Sequence, residues 1–100
     1  MNAEEITITD NEFLRQFETT INQQLATIEY AQQERKIFLT KVFMPETLKE
    51  EGYMDIFIEA VLEEIKERNT RVMPTSPDVA KFMRKNRRKY KDLLPVGINI

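Results

Sequence analysis

The sequence predicts a mixed α+β / α/β domain with its elements in the order β-β-β-α-β-α, and three observations predict it. The stretches 13–21 and 25–31 alternate apolar and polar residues with the period of a strand. The stretch 53–65 places apolar residues three and four apart, the spacing of one helix face. Ser76-Pro77-Asp78 then has the composition of a helix start, directly after a short strand-like run. One hundred residues, 41% hydrophobic and 32% charged, suit a single globular core, so residues 1–100 read as one domain.

The first dozen residues are polar and read as a loose lead-in, 1–12. Phe17, Thr19 and Ile21 fall on one face of the first strand, and Ala26, Ile28 and Tyr30 on one face of the second. Asn22-Gln23-Gln24 turns between them, giving a hairpin. Gln32 to Arg35 makes the next turn. The third strand, 36–43, carries Ile37, Phe38, Leu39, Val42 and Phe43, a composition that predicts burial on both faces. Pro45 ends it.

The helix start is open between two readings. Thr47-Leu48-Lys49-Glu50 has the form of a capping box, which would begin a helix near Leu48 and place Gly52 inside it at a cost of about 1 kcal/mol. Alternatively 48–52 is a loop and the helix spans 52–67. Residues 71–75 form a fourth strand, and the helix before it favours parallel pairing with the third through a right-handed crossover. The second helix, 77–86, turns Val79, Phe82 and Met83 inward. Tyr90, Leu93 and Leu94 make a last anchoring turn, and Val96 to Ile100 an apolar tail.

The chemistry available is narrow. There is no cysteine, hence no disulfide, thiolate nucleophile or Cys-based zinc site, and no histidine, the commonest base near neutral pH and the commonest metal ligand. Acid–base work must fall to Glu, Asp, Tyr or Lys. The acidic start and the lack of a long apolar run predict neither a signal peptide nor a membrane span, and a cytoplasmic location. Net charge is −2, but residues 1–70 hold fifteen acids and seven bases while 71–100 hold two acids and eight bases. Seven of those bases lie between Lys81 and Lys91.

Three stretches carry a resemblance: Leu25-Ala26-Thr27-Ile28-Glu29-Tyr30; Leu48 to Gly52 with Ile58 to Leu62; and Val72 to Pro77 with Val79 to Lys85 and Tyr90 to Leu94. Together they are similar to the small single-domain GNAT-like N-acetyltransferase family, across most of the chain. The resemblance implies a GNAT-like (acyl-CoA N-acyltransferase) sheet and an acetyl-CoA-dependent N-acetyltransferase, with no metal. It places the acetyl-CoA / coenzyme A loop on Lys49, Glu50, Glu51, Gly52, Tyr53 and Met54. In the family this loop reads Arg or Gln, two residues, Gly, one residue, then Gly or Ala, and it binds pyrophosphate through backbone amides and a helix N-terminus. Here Lys49 stands for Arg or Gln and Gly52 is kept. Met54 replaces the small residue, and Glu50 and Glu51 bring carboxylates toward the expected phosphates.

Two further family positions differ. An Asp-His-Thr segment of the third strand aligns with Thr40-Lys41-Val42, and a cysteine after the fourth strand aligns with Ser76. Ser76 is thus the resemblance's candidate substrate-side or nucleophilic residue, while its residue type and place read as a helix cap. Glu29, the acid inside a central strand, is the candidate proton acceptor for direct transfer to an amine, against an outward-facing strand residue. Three functions stay open: an acetyltransferase whose activity has eroded with its loop, a non-catalytic GNAT-like binding or assembly module, and a basic domain bound to nucleic acid. The last rests on charge without stacking aromatics and is the weakest. The basic segment also reads as a solvated face balancing the acidic first helix. The acceptor amine or protein partner is open, as is a homodimer.

Overall fold

The computed structural model describes residues 6–98. Five strands form one sheet in sequence order: β1 (Thr9–Asn11), β2 (Gln16–Ile21), β3 (Gln24–Gln33), β4 (Lys36–Phe43) and β5 (Arg71–Pro74). The first four pair antiparallel, and β4 with β5 pairs parallel, as the sequence predicts. The connection between β4 and β5 carries α1 (Glu46–Glu50) and α2 (Tyr53–Glu67); α3 (Pro77–Lys85), α4 (Arg87–Tyr90) and a 3-10 turn (Lys91–Leu93) follow.

Each strand buries one alternation. Phe17, Thr19 and Ile21 of β2, Ala26 and Ile28 of β3, Ile37 and Leu39 of β4 and Val72 of β5 are all buried. They meet Phe57, Ile58, Val61, Leu62 and Ile65 of α2 and Val79, Phe82 and Met83 of α3. A fully buried side chain of this size contributes about 1.5–3 kcal/mol, so this cluster is what holds the two layers together. The opposite alternation stays open, and β4 is not buried on both faces. Its Phe43 is 53% exposed and Phe38 half-buried, because α2 and α3 lie side by side on one face. At the rim Lys85 of α3 meets Asp55 of α2 at 3.4 Å and Lys89 of α4 meets Glu59 at 3.2 Å, exposed pairs that add little to the packing.

Hairpin turns follow local chemistry. Asn22 and Gln23 both take positive φ (51° and 65°), the backbone a two-residue turn needs to match strand twist. Two elements depart from the sequence reading. The segment 1–12 is not all lead-in: Thr9–Asn11 pairs with Gln16–Glu18 as the edge strand β1, whose polar composition hid it. The first five residues of that lead-in, and Asn99 and Ile100 of the tail, lie outside the described residues. The first strand begins at Gln16 rather than 13, since Phe13 and Leu14 occupy the turn after β1 and are exposed. The second helix ends at Lys85, and Asn86 separates it from α4. None of the described helices is long and apolar enough to cross a membrane.

Candidate functional site

The site is built where the parallel strands part. β5 accompanies β4 only from Lys36 to Leu39, whereas β3 stays with β4 as far as Phe43. The last link on the β5 side is the Leu39 carbonyl, which accepts from the Ser76 amide at 2.8 Å and from Thr75 Oγ1 at 3.0 Å. At the same level the β3–β4 ladder shifts register between Glu29 and Tyr30. Glu29 pairs with Lys41 and Tyr30 with Leu39, leaving Thr40 as the extra residue, its hydroxyl on the Glu29 carbonyl at 3.2 Å. A crevice at the C-terminal ends of diverging parallel strands is a common ligand position.

Ser76 and Glu29 both come to this place, with different surroundings. Ser76 is 1% exposed and caps α3: its Oγ accepts from the Val79 amide at 3.4 Å. Pro77 at the first helical position and Asp78 in the first turn complete that cap. Glu29 is exposed on the open face of the sheet, opposite Lys41.

The segment Lys49 to Met54 resolves the ambiguous helix start in a third way. A short helix begins after Pro45, not at a capping box, and Thr47 Oγ1 reaches Gln24 Oε1 instead of a backbone amide. Leu48 is fully buried and pins α1 to the core. Gly52 then takes φ +86°, ends this helix and starts α2. A residue with a Cβ would be strained there, so the glycine is used for its backbone. Glu50 and Glu51 are exposed, and Tyr53 and Met54 are half-buried against the core.

This geometry tests the fit to a pyrophosphate. The amides of Leu48 and Lys49 donate to the Pro45 carbonyl, Glu51 to Thr47 and Gly52 to Lys49, so three amides of the loop, those of Lys49, Glu51 and Gly52, are taken up by the chain itself. The first turn of α2 leaves the amides of Tyr53, Met54 and Asp55 without an intrahelical acceptor, and no side chain caps them. They are the donors that remain. Glu50 and Glu51 precede them in the sequence, Asp55 is paired with Lys85 at 3.4 Å, and Lys49 sits 3.9 Å from Glu46. Among the described residues no group of His, Cys, Asp or Glu could hold a metal ion.

Two tyrosine clusters brace the layers and were not foreseen. Tyr30 donates to Asp10 at 2.6 Å; Arg68 reaches Asp10 at 2.9 Å and Glu64 at 3.0 Å and lies over the Phe17 ring. Burial, and then the Asp10 carboxylate, push the Tyr30 hydroxyl up to about 12. Tyr90 donates to Glu63 at 3.0 Å, and burial followed by that carboxylate raises its pKa as well. The first cluster joins residues far apart in sequence, and its β1 member belongs to a strand the polar pattern concealed. The second was legible in part, since Asp55, Glu59 and Glu63 recur every fourth residue off the apolar stripe. They take up Lys85 and Lys89. Lys81, Arg84, Arg88 and Lys91 form no ion pair among the described residues. A cavity of about 430 Å³ lies at the far end, lined by Lys66, Thr70, Arg71 and Asp92, where Arg71 is bonded to the Asp92 and Leu94 carbonyls.

Residues 16–93 match the family model described as GCN5-related N-acetyl-transferase. The chain belongs to this family. The match runs from the start of β2 to the end of the 3-10 turn and includes the parting strands and both helices after them. No curated protein matches the chain. The mixed sheet, the β4–α–β5 crossover and the bulge beside Leu39 are therefore those of a small GNAT-like domain.

Proposed function

We propose that this chain is an acetyl-CoA-dependent N-acetyltransferase domain whose coenzyme A site has been weakened in place, so that transfer to an amine is residual or lost. The observation that carries this reading is the folding of 46–50 into α1, which spends the loop amides and leaves Glu50 and Glu51 beside the remaining donors. Two unit charges about 4 Å apart interact by roughly 1 kcal/mol in water and several-fold more near a protein surface. A diphosphate seated on the first-turn amides of α2 would lose more than about tenfold in affinity if both carboxylates came within that range.

In this reading Ser76 serves α3 rather than the reaction. A nucleophilic hydroxyl needs an adjacent base; this one is buried with its oxygen turned to a backbone amide. In this reading the domain is cytoplasmic and the acceptor of any residual transfer is an amine.

Calorimetry with coenzyme A and acetyl-CoA tests the reading. Binding by the natural chain is expected to be weak or undetectable. The triple change Glu50→Gly, Glu51→Gln, Met54→Gly removes two charges, unwinds the end of α1 and clears the crowding side chain; it should raise affinity by tenfold or more. Tight binding by the natural chain would overturn the charge argument and restore a full acetyltransferase. A triple variant that folds but gains nothing would instead favour a non-catalytic binding or assembly module, the reading that the uncovered sheet face also supports.

A further inference from the structure

The sheet's second face belongs to no site described above. Alternation places Leu25, Glu29 and Ala31 of β3 and Phe38, Lys41 and Phe43 of β4 on it, away from both helices. Leu25 is 47% and Phe43 53% exposed, although both sit in regular strands next to the sheet's centre. Large apolar side chains gathered on an exposed surface usually mark an interaction site. An antiparallel sheet can leave one face to water, but that face is then polar. This one is polar along β2, at Gln16, Glu18 and Thr20, but carries Leu25, Phe38 and Phe43 on β3 and β4.

The pattern across β3 and β4 has a specific form. Reading along the strands, Leu25 has no residue of β4 opposite it, and the levels that follow are Thr27 with Phe43, Glu29 with Lys41, and Ala31 with Phe38. Neither Glu29 nor Lys41 forms an ion pair among the described residues. A two-fold axis running along the strands between β3 and β4 exchanges the two strands and keeps each level in place. It sets Glu29 over the partner's Lys41, and Lys41 over the partner's Glu29, with Phe43 over the partner's Thr27 on one side and Phe38 over the partner's Ala31 on the other. A patch that complements itself in this way is what an isologous dimer requires. Two such sheets would pack face to face about 10 Å apart, as in a sandwich.

We infer that the open face of the sheet is the interface of a homodimer, registered by reciprocal Glu29–Lys41 pairs. This interface does not depend on cofactor binding, and it encloses Glu29 out of reach of an amine.

Analytical ultracentrifugation of the natural chain across the micromolar range should show a concentration-dependent monomer–dimer equilibrium. Lys41→Glu sets carboxylate against carboxylate twice across the axis and should weaken the dimer at least tenfold. The exchange Glu29→Lys with Lys41→Glu restores opposite charges and should recover dimerisation to within a few-fold. Phe43→Ser should weaken it without affecting charge. Circular dichroism on each variant keeps loss of fold distinct from loss of association. A natural chain monomeric throughout would overturn the proposal, because the face would then serve a different partner. So would a dimer insensitive to Lys41→Glu, a charge exchange that fails to recover association, or a dimer abolished by Lys81→Glu with Arg84→Glu, which would move the interface to the helices.

Discussion

Between β4 and α2 the chain makes a short helix, a left-handed glycine and a row of exposed charges; between β5 and α3 it makes one tight turn around the buried Ser76. Both junctions leave the same end of the parallel pair. At the second, the Ser76 amide and hydroxyl, the Thr75 hydroxyl and Pro77 all have structural tasks, and the Ser76 side chain is out of solvent. At the first, Met44 and Leu48 reach the core, and Lys49, Glu50 and Glu51 face water. The difference teaches which half of the site a sequence can change freely. Charges at the β4–α2 junction cost the fold little, so the residues that would decide cofactor affinity are the ones least constrained by folding.

The largest way to break this comparison is Leu48→Ala. If Leu48 is what anchors α1 to the core, its truncation should cost about 2–5 kcal/mol in urea unfolding, the range for a buried leucine that leaves a cavity. A cost below 1 kcal/mol would show that α1 is held by something other than the core. All such measurements need one fixed protein concentration, because association adds to apparent stability.

Gly52→Ala comes next. Nothing lies within 4 Å of a Cβ built there, so any loss is backbone strain and not a clash. At φ +86° the cost should be about 1–2 kcal/mol, and Gly52→Asn should lose less. Equal losses for the two would point to a contact not yet identified.

Ser76→Ala probes the other junction. A capping hydroxyl is worth about 0.5–2 kcal/mol, and at 3.4 Å this bond belongs near the lower end. A fall in melting temperature of a few degrees is expected, with no change in coenzyme A binding. A loss of binding at unchanged stability would give Ser76 the substrate-side role that the family alignment suggests.

What the sequence made legible follows the same division. The Ser76-Pro77-Asp78 start, the alternation of β2 and β3 and the apolar stripe of α2 each rest on local chemistry, and the structure has them where the pattern places them. Two misreadings came from assigning burial by residue type. Phe38 and Phe43 look like core, but only one face of β4 meets helices; Thr9–Asn11 looks like lead-in, but an edge strand needs backbone partners and not apolar side chains. The split of 46–52 into helix, glycine and helix was hidden because Thr47 and Glu50 imitate a capping box. Leu48's burial, a tertiary fact, sets the true start. The Tyr30–Asp10–Arg68 cluster was equally hidden, since it joins three elements remote in sequence.

The smallest expected effect sharpens the comparison most. Lys49 and Glu46 lie 3.9 Å apart, three residues apart on α1, with their side chains 45% and 77% exposed. Such a pair loses side-chain freedom to form and is screened by salt within about 10 Å at ordinary ionic strength. Lys49→Gln should therefore change unfolding free energy by less than about 0.5 kcal/mol, with the difference vanishing at molar salt. Its effect on ligand binding runs the other way. Lys49 is the positive side chain among Glu50, Glu51 and Asp55, so removing it should further weaken whatever coenzyme A binding the natural chain has. In the background of the triple loop variant, where binding is measurable, Lys49→Gln should cost several-fold in affinity at low salt. A stability loss as large as that of Leu48→Ala would make this charge part of the fold and remove the contrast between the junctions. No loss of affinity in the triple background would mean that the phosphates, when bound, lie away from Lys49 and nearer the first-turn amides of α2.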